Sequence, residues 1–245
     1  MDEGKYVYCF VEGNMDSSTG ITGMGGQGSI YYIPYKDISA AVSDTPYMEY
    51  DPSRENALNH ERAVQQLMKT NNLVPCNFGN VFKSRDDVLL FLEKAYSYIA
   101  QNLQKVRGKM EVGLRVFWQK ENFSKEIETD EIVKLRDSLM EGAGRSDYYA
   151  QIELGKTVQK RVEKRRKYYS GRIYEPLCAY AEDAVSNEPS NPMMVIDAAF
   201  LILKSREGEF DRQVELLMKQ YSDGFRFSYS GPWPPYNFTD VVMEG

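Results

Sequence analysis

Near its C-terminal end the chain reads Ser230-Gly231-Pro232-Trp233-Pro234-Pro235-Tyr236-Asn237-Phe238. Its three prolines fix φ near the polyproline value and remove three backbone donors. Gly231 can turn the chain with no Cβ to clash. Such a segment is excluded from a helix interior and from a central strand. What remains is a stiff spine that holds three large rings, Trp233, Tyr236 and Phe238, at little entropic cost. Two readings fit it. The rings seal the molecule's own core, or they form an aromatic patch that docks on a partner.

The rest of the chain must supply something for this segment to close on. At 245 residues it can form one large domain or two modest ones. The net charge of −6 argues against nucleic acid as a partner. No apolar run is long enough to cross a bilayer. Met1-Asp2-Glu3-Gly4 lacks the basic-then-apolar opening of a secretory signal, so the cytoplasm is the expected compartment. Cys9, Cys76 and Cys178 are far apart and form no Cys-x-x-Cys pair. With one histidine in the chain, a zinc site lacks ligands, and the thiols read as small packed hydrophobes.

β-rich runs predict strands over 6–11, 29–34 and 38–43. Between the first two, residues 13–28 carry six glycines and read as a mobile loop. Gly23, Gly25 and Gly28 spell Gly-x-Gly-x-x-Gly, but a strand follows where a nucleotide site needs a helix N-terminus. Asp51-Pro52-Ser53 starts a helix with Ala57, His60, Val64, Leu67 and Met68 on its apolar face. His60 therefore points inward, and reads as a core histidine with a ring nitrogen bonded to a backbone carbonyl. A strand over 74–82 is interrupted at Phe78-Gly79. Ser84 then caps a helix to about 106, Gly108 ends it, and a strand covers 110–118.

Residues 121–140 read as one polar helix, broken by Gly142-Ala143-Gly144, and Ser146 or Asp147 caps the next. That long helix has a thin apolar stripe of Ile152, Val158, Val162, Tyr169 and Ile173. Around it runs Lys160-Arg161-Val162-Glu163-Lys164-Arg165-Arg166-Lys167, a solvated face or a grip on an acidic partner. Pro176 should kink it, with helix resuming over 177–185. The strand over 193–202 is apolar on both faces except for Asp197, which suits a sheet centre. A carboxylate there needs a partner. Arg115, mid-strand in 110–118, is expected to face it. A last helix capped by Ser205 and a strand over 225–230 lead into the proline segment.

These elements predict an α+β protein of two packed domains. The first, 1–108, is read as a modified ferredoxin-like βαββαβ sandwich. The second, 109–245, is read as a ferredoxin-like α+β variant with a long helix and a proline/aromatic extension from about 231.

Several stretches together resemble the gas vesicle protein F/L family. Besides the proline segment they are Met194-Val195-Ile196-Asp197-Ala198-Ala199-Phe200-Leu201-Ile202, the run Pro75-Cys76-Asn77-Phe78-Gly79-Asn80-Val81 downstream of His60, and the opening Lys5-Tyr6-Val7-Tyr8-Cys9-Phe10-Val11. Asn77 stands where that family usually has an arginine. The resemblance spans residues 5 to 240 in order and favours the F branch.

It implies an accessory or minor structural protein of gas vesicles in the cytoplasm. Its partners would be the small, very hydrophobic shell protein and other gas vesicle accessory proteins, with no membrane and no cofactor. Its task would be to support assembly and keep shell protein from aggregating. Trp233, Tyr236 and Phe238 are the candidate contact residues. No converging acids, bases or nucleophiles advertise an enzyme. The alternative is a soluble regulatory or ligand-binding protein with tandem ferredoxin-like domains and a polar pocket between them.

Overall fold

The structure, a computed structural model, describes residues 4–26, 28–46, 49–141 and 147–240. The chain forms two compact units. One joins Met1–Glu111 to Pro232–Gly245, and the other is Val112–Gly231.

The first unit contains strands β1 (Gly4–Glu12), β2 (Ser18–Thr22), β3 (Ser29–Tyr35) and β4 (Ile38–Thr45). Helix α1 (Arg54–Met68), strands β5 (Leu73–Pro75) and β6 (Val81–Phe82), and helix α2 (Arg85–Val106) follow. The sheet order is β2-β3-β4-β1-β5, with β6 also paired to β1. Each pairing is antiparallel.

The register of β1 on β4 shifts between Val7 and Cys9. Such a bulge breaks strict alternation. Tyr6, Tyr8, Cys9 and Val11 join one core with Ala63, Val64 and Leu67 of α1. Val7 and Phe10 join another with Val88, Leu92 and Ile99 of α2. The two helices thus cover opposite faces of the sheet. Both start as their sequences dictate, with Ser53 Oγ accepting from Asn56 N and Ser84 Oγ from Asp87 N, each at 3.2 Å.

This order departs from the expected βαββαβ. Residues 13–28 are not a bare loop but contain β2 and a one-turn helix over Met24–Gly26. Thr19 Oγ1 donates to Ile30 O at 2.8 Å and Met24 N to Tyr8 Oη at 2.6 Å. Those partners lie on other strands, where local propensity cannot reveal them.

The second unit has β7 (Lys109–Trp118, entering from the first unit), α3 (Lys120–Ile127), α4 (Asp130–Glu141), α5 (Asp147–Cys178), β8 (Asp183–Asn187), β9 (Met194–Leu203), α6 (Glu207–Gln220) and β10 (Phe225–Trp233). Its sheet order is β10-β7-β9-β8, so the doubly apolar β9 has a neighbour on each side. Phe200 of β9 meets Tyr174 of α5 and Phe210 of α6, with ring centroids 5.5 and 5.1 Å apart.

Three expectations are corrected here. The single helix over 121–140 is two, because Glu128 is extended and Thr129 begins a new turn. Helix does not resume over 177–185. Pro176 lacks the N–H that would bond back, α5 stops two residues later, and residues 183–187 pair antiparallel with β9 instead. Ser205 caps nothing, since it sits in a short turn, Lys204–Arg206, ahead of α6. The expected break at Gly142-Ala143-Gly144 and cap at Ser146 lie outside the described residues. The tail from Pro232 groups with the first unit rather than with the 109–245 portion, and the side chains that hold it are described next.

Candidate functional site

Gly231, inside β10, holds φ at 137°, a conformation that L side chains rarely adopt, and the strand ends two residues later at Trp233. Pro234 and Pro235 are buried, and Tyr236–Phe238 form one short helical turn. Phe238 is only 5% exposed, with Lys105 Nζ 5.8 Å from its ring centroid. Asn237 grips Glu111 twice: its backbone N donates to Oε2 at 2.9 Å and its Nδ2 to Oε1 at 2.6 Å. Burial raises the pKa of the Glu111 carboxyl, and the bonds from Asn237 pull it back down. Thr239 Oγ1 donates to Pro235 O at 2.9 Å and closes the turn.

Tyr236 is half-buried, with Oη 3.4 Å from His60 Nε2. His60 is buried, its Nε2 lies 3.0 Å from Cys76 O and its Nδ1 lies 2.9 Å from Tyr6 Oη. The carbonyl can only accept, so Nε2 carries the proton and Tyr6 donates to Nδ1. Tyr6 Oη in turn accepts from Gly79 N at 3.2 Å. Tyr8 stacks on the imidazole at 5.8 Å and 12°. Burial lowers the His60 pKa to about 4, against the raising effect of the Cys76 bond. Burial alone pushes the Cys9 thiol far up, and it raises Cys76 as well.

No nucleophile is activated in this cluster. The histidine is neutral, both ring nitrogens are occupied, and the buried thiols are held protonated. Among the described residues no group of three His, Cys, Asp or Glu side chains is placed to hold a metal ion.

The sequence-derived candidates thus fall in different places. Phe238 is core, while Trp233 and Tyr236 are half-buried in the first unit. Arg115 and Asp197 meet in the second unit, Nε to Oδ1 at 3.3 Å, and the arginine side chain is 62% exposed. The pair lies at the surface of the sheet rather than inside it.

Sequence reasoning missed a different surface. Tyr148, Tyr149 and Ile152 stand exposed in the first turns of α5, and Met140 stands exposed near the end of α4, 83% open to solvent. Of the apolar stripe on α5, Val162, Tyr169 and Ile173 are buried, whereas Ile152 is exposed. The adjacent tyrosines were the available signal, because a helix cannot bury both on one narrow stripe.

The basic run divides in two. Arg161 Nε donates to Glu126 O at 2.9 Å, Arg165 pairs with Glu126, and Arg166 donates to Met194 O and Asn191 O at 2.9 and 2.6 Å. These three fasten α5 to the unit. Lys156, Lys160, Lys164 and Lys167 are exposed. They form a stripe at three- and four-residue steps.

The family model for gas vesicle synthesis protein GvpL/GvpF matches residues 4–240. Gas vesicle protein F of Nostoc sp. is 24% identical over 98% of this chain and 100% of its own length. Gas vesicle protein F of Dolichospermum flosaquae is 28% identical over 81% of this chain and 82% of its own. The crystal structure of the gas vesicle protein GvpF from Anabaena sp. superposes with a TM-score of 0.81 at 22% identity, covering 100% of this chain and 99% of that one.

Proposed function

Because the chain belongs to the GvpL/GvpF family of gas vesicle synthesis proteins, we propose that it is an accessory protein that binds the hydrophobic shell protein and shields it from aggregation before incorporation. It acts at the growing vesicle inside the cell and alongside other accessory proteins, without chemical catalysis. The observation that supports this reading is the exposure of Tyr148, Tyr149 and Ile152 in the first turns of α5. Aromatic side chains are enriched in interface cores, and the Tyr148 and Tyr149 rings lie 5.8 Å apart on the exposed start of α5. Fully burying each such side chain contributes about 1.5–3 kcal/mol before association costs. No described helix is long and apolar enough to cross a membrane, so the cluster is not part of a helical span.

The test is light scattering from shell protein diluted out of denaturant, with and without this protein. Wild type should suppress aggregation at near-equimolar ratio. The Tyr148→Ala/Tyr149→Ala variant should lose most of that effect with an unchanged thermal melt, because both rings already face solvent. Wild type that leaves scattering unchanged refutes the proposal.

A further inference from the structure

The accessory role makes no use of a cavity of about 370 Å³ in the first unit, between the glycine-rich turn of residues 20–26 and helix α1. A cavity of this size takes a small metabolite. One wall is α1. Asn59, Arg62 and Gln66 line it at three- and four-residue steps, so they share one row of the helix over about 10 Å. Ala63, beside Arg62 in the same lining, is short and keeps the floor open.

The opposite wall is held in place by the fold. Met24 N donates to Tyr8 Oη at 2.6 Å, Gly26 N to Gly23 O at 3.2 Å and Gly23 N to Gly28 O at 3.1 Å. Gly26 stands at φ 73°, in the left-handed region where glycine is unstrained. The wall is therefore formed before any ligand arrives. Tyr8 lines the inner surface, but its oxygen is already engaged by Met24 N and by Ser43 Oγ at 2.9 Å. The free polar side chains of the cavity lie on α1.

Charge decides what they can hold. Arg62 is the one charged side chain in the lining, and no carboxylate lines the cavity, although the chain carries 36 acidic residues against 30 basic ones. The positions three and four residues from Arg62 are Leu58, Asn59, Gln65 and Gln66, so α1 itself offers no counter-charge. Asn59, Arg62 and Gln66 are exposed, and among the described residues none of them makes a hydrogen bond or ion pair. A guanidinium without a counter-charge, flanked by two amides that both donate and accept, matches an anionic group carried on a hydroxyl-bearing body.

We propose that this cavity is a binding site for a small organic anion, a phosphate or carboxylate on a hydroxylated body. Arg62 pairs with the anionic group through its forked N–H donors. The Asn59 and Gln66 amides hydrogen-bond the body, and Ile21 and Met24 cover its less polar side. Gly23, Gly25 and Gly28 then serve a ligand without a helix N-terminus behind them, because the turn they shape stands opposite an arginine.

The test is a titration of the isotope-labelled full chain, followed through its backbone amide resonances, at constant ionic strength. The probes are glucose 6-phosphate, gluconate and glucose, which share a hydroxylated body and differ in the anionic group. Saturable shifts in residues 20–26 are expected with at least one of the two anions and not with glucose, and the anion that responds identifies phosphate or carboxylate. Arg62→Gln should weaken binding on the order of tenfold or more, as for a lost charge-assisted pair. Gln66→Glu should do the same, since it sets a carboxylate one turn from Arg62 without lowering helix propensity. Both variants should melt like wild type, because the side chains they alter are exposed and unpartnered. No shift in residues 20–26 with either anion up to about 10 mM overturns the site. So does equal binding of glucose, or an Arg62→Gln affinity within about twofold of wild type.

Discussion

The single histidine makes one pH prediction unusually clean. His60 has an ordinary pKa of 6.5 in the unfolded chain and about 4 when buried against Cys76 O, Tyr6 and Tyr8. As pH falls below 6.5 the unfolded state takes up a proton that the folded state refuses. Folding stability is therefore lost on the way down, and the loss saturates below pH 4. With these two values the loss between pH 7 and pH 5 is about 2 kcal/mol, rising to about 3 kcal/mol below both pKa values. Glu111 acts in the opposite direction, because its raised pKa lets the folded state accept a proton more readily as pH falls.

The assay must isolate the histidine. Guanidinium unfolding of wild type and His60→Gln at pH 7, 6 and 5 does so, since Glu111 and the other carboxylates contribute equally to both. Wild type should lose about 2 kcal/mol more than the variant over that span. In the folded protein the imidazole resonance should not titrate above pH 5. An imidazole that titrates near 6.5 in the native state, or equal pH slopes for the two proteins, would refute the reasoning.

Asn237→Ala should cost about 1–3 kcal/mol in a thermal or denaturant melt, because it strips the Nδ2 donor from a buried carboxylate and leaves it only the backbone N–H of residue 237. Adding Glu111→Gln should recover part of that loss, and a double variant no more stable than Asn237→Ala would contradict the assignment. Phe238→Ala should cost about 3–5 kcal/mol, as for a large ring lost from a closed core; a loss below about 1 kcal/mol would show that the ring is not seated there. Arg115→Ala should change stability by less than about 1 kcal/mol, since its ion pair with Asp197 is largely solvated.

Elements whose signals are local were legible in the sequence. Ser84 and the acids after it mark the start of α2, and the period of its apolar residues marks the inward face. The apolar run of β9 marks an interior strand, and its lone Asp197 calls for a cation, which Arg115 supplies. The inward reading of His60 and its carbonyl partner followed from α1 periodicity. What was hidden depends on residues distant in sequence. β2 exists because β3 pairs with it, and β8 because β9 does. The Glu111–Asn237 contact spans 126 residues, and nothing in the composition near either residue announces it. The exposed tyrosines of α5 were hidden because an apolar residue on a helix reads as core unless the packing partner is known to be missing.

Because the first unit includes both Met1–Glu111 and Pro232–Gly245, the ribosome delivers its pieces out of order. All of Val112–Gly231 is synthesised while the face that receives Tyr236, Asn237 and Phe238 is still uncovered. The second unit can therefore fold first, on a nascent chain whose first unit waits for its last strap. Translation halted before codon 232 would leave Glu111 buried without its donors and the edge beside His60 open, a form suited to chaperone capture and proteolysis.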